Sequence, residues 1–243
     1  MAMKTGPKVA LGSLLLLFVA AGAEVAWIHH RNHADDAPVA KAEYKSDPDD
    51  LVFLKKEHPD SLKDAKDLKG RTLWVSAGGQ MDYFPYTGHK VDFAKSEGVL
   101  LGAEKLEVKD AIEAVAPKKT AFRIPAGDKQ VLLVFTKAGA PTEYAVPVGY
   151  HEDGRYNFMT DEIFFYDDPH QLFNYWKPEI WAGIDAHKAV PGMNERQAEM
   201  ALGQVVTPHG DTPGDRTMDF YNEGHPVTIT FVHGKATTIT PGA

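Results

Sequence analysis

The sequence predicts an α+β protein in which a β-rich domain over residues 51–167 precedes a domain of helices and an antiparallel three-stranded meander over residues 168–243. Three observations predict it. Segments dense in Val, Phe, Tyr, Ile and Leu, separated by Gly, Pro and Asp, fill the first region. Capped amphipathic runs with clear stops cluster between residues 168 and 204. Three more β-type runs, joined by Asn222-Glu223-Gly224 and His233-Gly234, follow them.

The first 28 residues read as an export element. Residues 9–28, VALGSLLLLFVAAGAEVAWI, follow a leader bearing Lys4 and Lys8 and contain one charge, Glu24. Twenty helical residues span about 30 Å, the thickness of a bilayer's hydrocarbon core. Trp27, His29, His30 and Arg31 then suit the outer interface, which makes a single-span membrane anchor the expected reading. The alternative is a cleaved signal peptide with Ala21-Gly22-Ala23 as its cleavage site. In both cases the lysines hold the amino end inside, and the folded regions are expected outside the cytoplasm, anchored at an inner membrane or, if cleaved after Ala23, free in a periplasm. Residues 29–50, rich in Asp, Ala and Lys and interrupted by Pro38 and Pro48, read as a flexible linker; His29, His30 and His33 belong to a solvated collar rather than to a metal site.

Composition narrows the function classes. With 26 Lys and Arg against 34 Asp and Glu among 243 residues, the net charge is −8, and no basic stripe offers phosphate contacts, so no nucleic-acid partner is expected. The absence of cysteine excludes disulfides, thiolate metal sites, cysteine nucleophiles and a lipid anchor on cysteine. A hydrophobic content of 43% supplies ordinary cores, so stability must come from packing.

Within residues 51–167 the order runs as follows. Leu51 to Lys66 has helix-like spacing interrupted at Pro59 and is expected to cover a sheet edge. Strands are expected at RTLWVSA (71–77), AFRI (121–124), QVLLVFTKA (130–138), EYAVPVGY (143–150) and RYNFMTDEIFFYDD (155–168). Asp153-Gly154 marks a hairpin between the last two. KLEVKDAIEAV (105–115), with Leu106, Val108, Ile112 and Val115, is expected to be a helix ended by Pro117. The expected result is a small bent sheet or barrel with one inserted helix. Between glycines, the stretch GGQMDYFPYTGHKVDF (78–93) places Tyr83, Phe84 and Tyr86 around Pro85 on a loop. Displayed, these rings would be a stacking platform for a sugar or peptide ligand; folded back, they would plug one end of the barrel, which is the more common fate of large aromatics.

The second region opens with Asp168-Pro169-His170-Gln171, a capping box with Pro at the first helical position, continuing through Leu172, Tyr175 and Trp176. Pro178 begins a second helix that runs towards Pro191-Gly192. A third starts at Asn194, with Gln197 three residues on and Met193 placed as a hydrophobic staple. Its apolar stripe is Ala198, Ala201, Leu202 and Val205, and Gly203 is its stop. The strands RTMDFY, PVTITFV and KATTI complete the meander.

The phrase LKGRTLWVSA, residues 68–77, resembles the opening strand of bacterial SH3-like domains, which implies a barrel and a cell-wall or peptide ligand. In the carboxy-terminal quarter, GMNERQAEMALGQ followed by TMDFYNEGHPVTITFVHGKATTI resembles the small-protein-A/outer-membrane-assembly lipoprotein (BamE-like) family, through Gly192, Met193, Gln197, Leu202, Gly203, Phe220, Tyr221, Phe231 and Gly234. That resemblance implies two helices on a three-stranded sheet in a non-enzymatic envelope module that assists assembly by binding a protein partner. This chain departs from the family in lacking a cysteine to be lipidated and in carrying a larger amino-terminal region.

No enzymatic constellation is legible. Ser76 and Ser96 sit in no nucleophile elbow. The carboxylate pairs Asp161 with Glu162 and Asp167 with Asp168 are adjacent on what reads as a strand, so they point to opposite faces. Histidines 151, 170, 187, 209, 225 and 233 are scattered near turns, and Ala77-Gly78-Gly79-Gln80 lacks a phosphate-loop lysine. The expectation is a membrane-tethered, extracytoplasmic, non-enzymatic binding or assembly module with an envelope protein partner, without cofactor or metal. A ligand-binding protein using Tyr83, Phe84 and Tyr86 is the alternative, and an enzyme with a site assembled only in three dimensions is the second alternative.

Overall fold

A computed structural model describes residues 22–28, 48–77, 81–115, 117, 127–137 and 139–242. The strand expected at 121–124, residues 9–21 of the expected anchor and residues 29–47 of the expected linker lie outside the described residues. The chain divides into two units, Met1–Leu51 and Val52–Ala243. In the first, residues 22–28 are helical (α1) and Pro48–Leu51 forms a 3-10 turn. Among the described residues no helix is long and apolar enough to cross a membrane.

The second unit is α+β, as the alternation of strand-type and capped helical runs predicts. Its larger sheet comprises β1 (Thr72–Val75), β2 (Asp82–Thr87), β3 (Lys90–Val91), β4 (Gly98–Val99), β5 (Lys105–Val115), β6 (Lys129–Lys137), β7 (Glu143–Glu152), β8 (Arg155–Phe158) and β9 (Phe164–Phe165). The order is β3-β2-β7-β6-β5-β1-β9, with β4 on β2 and β8 on β7, and neighbours are antiparallel. β6 explains the centre of this sheet. Its apolar run is continuous rather than alternating, and accordingly it is buried on both faces. Val131, Leu133 and Phe135 enter one core with Leu73, Leu106 and Val146, while Leu132 and Val134 pack on the other face with Tyr86 and Ala145. The β7–β8 hairpin turns through Asp153 (φ 49°) and Gly154 (φ 76°), the left-handed pair that an Asp-Gly turn supplies.

Residues 105–115 are not a helix. They form β5, the longest strand, paired with β1 on one side and β6 on the other. Leu106-x-Val108 and Ile112-x-Ala114 each alternate with period two. A bulge between Val108 and Asp110 separates them and sends Ala111 to one core and Ile112 to the other face, so the spacing across the break imitates no single period. Pairing on both edges overrides the helical preference of its Lys, Glu and Ala residues. The single strand expected over 155–168 is likewise three elements: β8, the short helix α3 (Thr160–Ile163) and β9. The break is made by Asp161. Its carboxylate accepts from the backbone N–H of Glu57 (3.1 Å) and His58 (3.0 Å) and from the Tyr166 hydroxyl (2.8 Å). Residues 52–60 are thereby held without becoming helical, and only Leu62–Asp67 (α2), capped by Ser61, is a helix.

After β9 the chain forms α4 (Pro169–Leu172), α5 (Pro178–Asp185) and α6 (Glu195–Leu202). Asp168 caps α4 through the His170 N–H (2.9 Å). The same histidine bridges Asp168 and Asp185, 3.1 Å to each, with its ring stacked 4.0 Å from that of Trp181, which ties α4 to α5. α6 carries the full capping box: Gln197 N–H donates to Asn194 Oδ1 (2.8 Å), and Asn194 N–H donates to Gln197 Oε1 (2.9 Å). An Asn194→Ala variant is expected to lose about 1 kcal/mol of unfolding free energy, read by urea titration; an unchanged midpoint would show that the box contributes nothing here. The α6 stripe is shorter than its spacing predicts, because the helix ends at Leu202 and Val205 is 55% exposed.

The smaller sheet has four strands, not three, in the order β10 (Val206–His209), β11 (Thr217–Phe220), β12 (Val227–Val232) and β13 (Lys235–Pro241). β10 is short, exposed and contains Pro208, which an edge strand tolerates and which hides it from a pattern search. Alternation drives Met218, Phe220, Ile229 and Phe231 into a core with Trp176, Trp181, Ile184 and Met200. Ala77 and Phe165 of the larger sheet's end join that same core.

Candidate ligand cleft

Tyr83, Phe84 and Tyr86 lie on strand β2 rather than on a loop and are 9, 3 and 8% exposed. Tyr83 meets Phe135 and Tyr144 edge-on, with ring centroids 5.9 and 5.1 Å away, and Phe84 lies 5.3 Å from Phe93. Tyr86 packs with Leu132 and Val134. None of the three rings is displayed as a platform. Gly88, after them, lies in the turn from β2 to β3, so it marks the end of a strand rather than of a loop.

A cleft of about 590 Å³ opens beside the end of the smaller sheet. Its apolar walls are Ala189, Leu202, Pro226, Val227 and Ile239, and its titratable side chains are His187, Lys188 and His225. Four segments build it. α5 ends in a tight reversal, with His187 N–H on Ile184 O and Lys188 N–H on Gly183 O, each at 2.9 Å, which sends residues 187–189 along one wall. α6 contributes its last residue, Leu202. The 222–225 turn is closed by the Asn222 side-chain amide on His225 O (2.9 Å). The end of β13 is fastened by Gly242 N–H on Pro226 O (2.7 Å).

Backbone strain gathers here. His187 (φ 51°), Asn222 (φ 42°) and Glu223 (φ 55°) hold left-handed conformations without being glycine, around or next to the same opening. His187 Nδ1 is buried without a hydrogen-bond partner. Behind the cleft, Lys137 pairs with Glu104 (3.0 Å) and lies 4.4 Å from the Tyr83 ring centre. Burial opposes the Lys137 charge, yet Glu104 and Tyr83 outweigh it and raise its pKa. Burial, reinforced by Glu104 and Asp82, pushes the Glu223 carboxyl up. Burial pushes the His187 imidazole down, against the pull of Glu104 and Asp185.

The His187 shift has a defined sign. A histidine whose folded pKa is depressed leaves stability intact above the ordinary value of about 6.5 and removes it as pH falls below, because the unfolded chain takes the proton first. Glu199, raised by burial and by Glu195, acts oppositely and favours the folded state as pH falls. The test is therefore a difference. Between pH 7.5 and 5.5, His187→Asn, which tolerates the left-handed backbone, is expected to lose less stability than the parent chain in urea titrations. Parallel losses would show that His187 does not titrate in that window.

Elsewhere among the described residues, histidines pair with single carboxylates: His209 with Asp219 (2.6 Å), His151 with Glu113 (3.6 Å), His58 with Asp161 (3.2 Å) and His233 with Asp215 (3.7 Å), beside the His170 bridge. Among the described residues no group of three or more His, Asp or Glu side chains could hold a metal ion. His187 and His225 are visible in the sequence only as histidines near turns. Their convergence with Leu202 and Ile239 depends on the packing of α5 and α6 on the sheet, which no local pattern encodes. No family model, curated protein or solved structure matches the chain.

Proposed function

We propose that the chain is a non-enzymatic binding module, held outside the cytoplasm by residues 9–28, that grips a segment of an envelope protein in the cleft of its carboxy-terminal region. The cleft carries this reading. It has apolar walls, a few polar groups and strained backbone at its rim, the usual make-up of a site that binds rather than one that only packs. The export-type amino terminus and the resemblance of residues 192–239 to an envelope assembly family support it. His187 and His225 are there with no carboxylate among the lining residues to orient either ring as a base, so holding a ligand is the chemistry the cleft supports best.

A photo-crosslinking amino acid at Ile239, irradiated in intact cells, tests this. A specific protein adduct is expected, and it is expected to disappear when the cleft is filled by Ala189→Trp in a chain whose thermal unfolding is otherwise unchanged. An adduct insensitive to that filling, or none, would remove the proposal.

A further inference from the structure

The end of β13 exposes part of a sheet edge, and antiparallel register says which backbone groups face outward. Phe231 N–H donates to Arg216 O (2.8 Å), so residues 227, 229 and 231 bond towards β11 while 228, 230 and 232 bond towards β13. Thr238 and Thr240, opposite Thr230 and Thr228, are therefore turned inward, and Gly242 N–H on Pro226 O continues that parity. Ala236 and Ile239 turn outward, on either side of the bulge. The chain already covers Ala236 itself, whose N–H donates to Met193 O (2.7 Å) and whose carbonyl accepts from Gly192 N–H (2.9 Å). Three residues further on, the 187–189 segment and β13 part to form the cleft, and Ile239 stands in its wall. Pro241 has no N–H and closes the edge beyond it.

Resting on the binding reading above, we infer that the occupant is an extended, β-branched, acidic peptide segment that adds to the smaller sheet along β13. Three properties of the cleft select this chemistry. The outward N–H and C=O of Ile239 offer a two-bond ladder rung to an added strand. Leu202 and Val227 give an apolar wall for alternate side chains of that strand. Lys188 brings positive charge to the cleft, burial holds the His187 ring towards its neutral form, and no carboxylate is among the lining residues, so complementary charge on the occupant is negative. The strand would fill the place that residues 192 and 193 fill beside Ala236.

The test uses the full chain and two fluorescein-labelled, amidated probes, Glu-Val-Thr-Val-Glu and Lys-Val-Thr-Val-Lys, with anisotropy as the readout. The acidic probe is expected to bind about tenfold or more tightly than the basic one, and Lys188→Glu to shrink or reverse that preference. N-methylation of the central threonine, which deletes a ladder donor, is expected to weaken the acidic probe about tenfold, and the Ile239 amide to gain protection from hydrogen exchange in the complex. Equal affinities for the two probes, or binding indifferent to N-methylation, overturn the inference. If neither probe binds while the Ile239 crosslink still captures a protein in the Ala189-dependent manner, the strand-addition inference falls and the binding reading stands. If the crosslink fails as well, both fall.

Discussion

Phe231→Ala is expected to lower the unfolding free energy by about 3–5 kcal/mol, the cost of deleting a fully buried aromatic whose cavity cannot collapse. Phe231 is 1% exposed and packs within the core that holds Phe220, Ile229 and Trp181. Its backbone cannot follow the missing ring inward. β12 is paired on both sides, the Phe231 N–H is committed to Arg216 O at 2.8 Å, and the β12–β13 bulge falls at Thr230 and Phe231. For a unit of this size the melting point is expected to drop by about 6–20 °C. Val232, the next residue on the opposite face, is 42% exposed, so Val232→Ala serves as the control and is expected to change stability by less than about 0.5 kcal/mol. Urea titration of both variants decides the matter. A Phe231→Ala loss below about 1 kcal/mol would mean that this core relaxes freely, contrary to the two-sided pairing of β12.

Gly102→Ala is expected to cost about 1–3 kcal/mol or more, although alanine at a glycine site with ordinary backbone angles gains about 0.4–1 kcal/mol from the unfolded state. The clash decides the sign. A Cβ on Gly102 would stand 2.2 Å from the carbonyl oxygen of Met200 and 3.1 Å from its carbonyl carbon. That oxygen belongs to α6, whose first turn is fixed by the Asn194–Gln197 box, so the helix and the 101–104 turn must move apart. Because the obstruction is backbone, truncating the neighbouring side chain does not relieve it: Met200→Ala, Gly102→Ala is expected to be no more stable than Gly102→Ala alone. A double variant that recovers the loss would show that the Met200 side chain, whose sulfur is 3.3 Å away, is the real obstacle.

The elements legible in the sequence are those whose determinants are local. The α6 capping box, the Asp168 cap with Pro169 behind it, and the Asp153-Gly154 hairpin each arise from residues within a few positions of one another, and each stands where its residues place it. The continuous apolar run of β6 announces burial on both faces before any partner strand is known. β5 and β10 were hidden for opposite reasons. In β5 a bulge breaks the alternation and helix-favouring residues fill the gap, while β10 is too short and polar to carry any period. The aromatic cluster at 83–86 is readable as a concentration of rings but not as a strand, since alternation through Pro85 sends its members to different cores.

By itself, then, the sequence determined the α+β class, the order of β-rich region, helices and meander, and the caps, because periodicity and capping are short-range preferences that each segment satisfies alone. Only the tertiary structure decided that residues 105–115 extend, that β10 adds a fourth strand to the meander, that Tyr83, Phe84 and Tyr86 are interior, and that His187, Leu202, His225 and Ile239 surround one cleft. Those outcomes rest on hydrogen bonds and burial between residues far apart in the chain, whose pairing free energy exceeds the few tenths of a kcal/mol by which local propensity separates helix from strand.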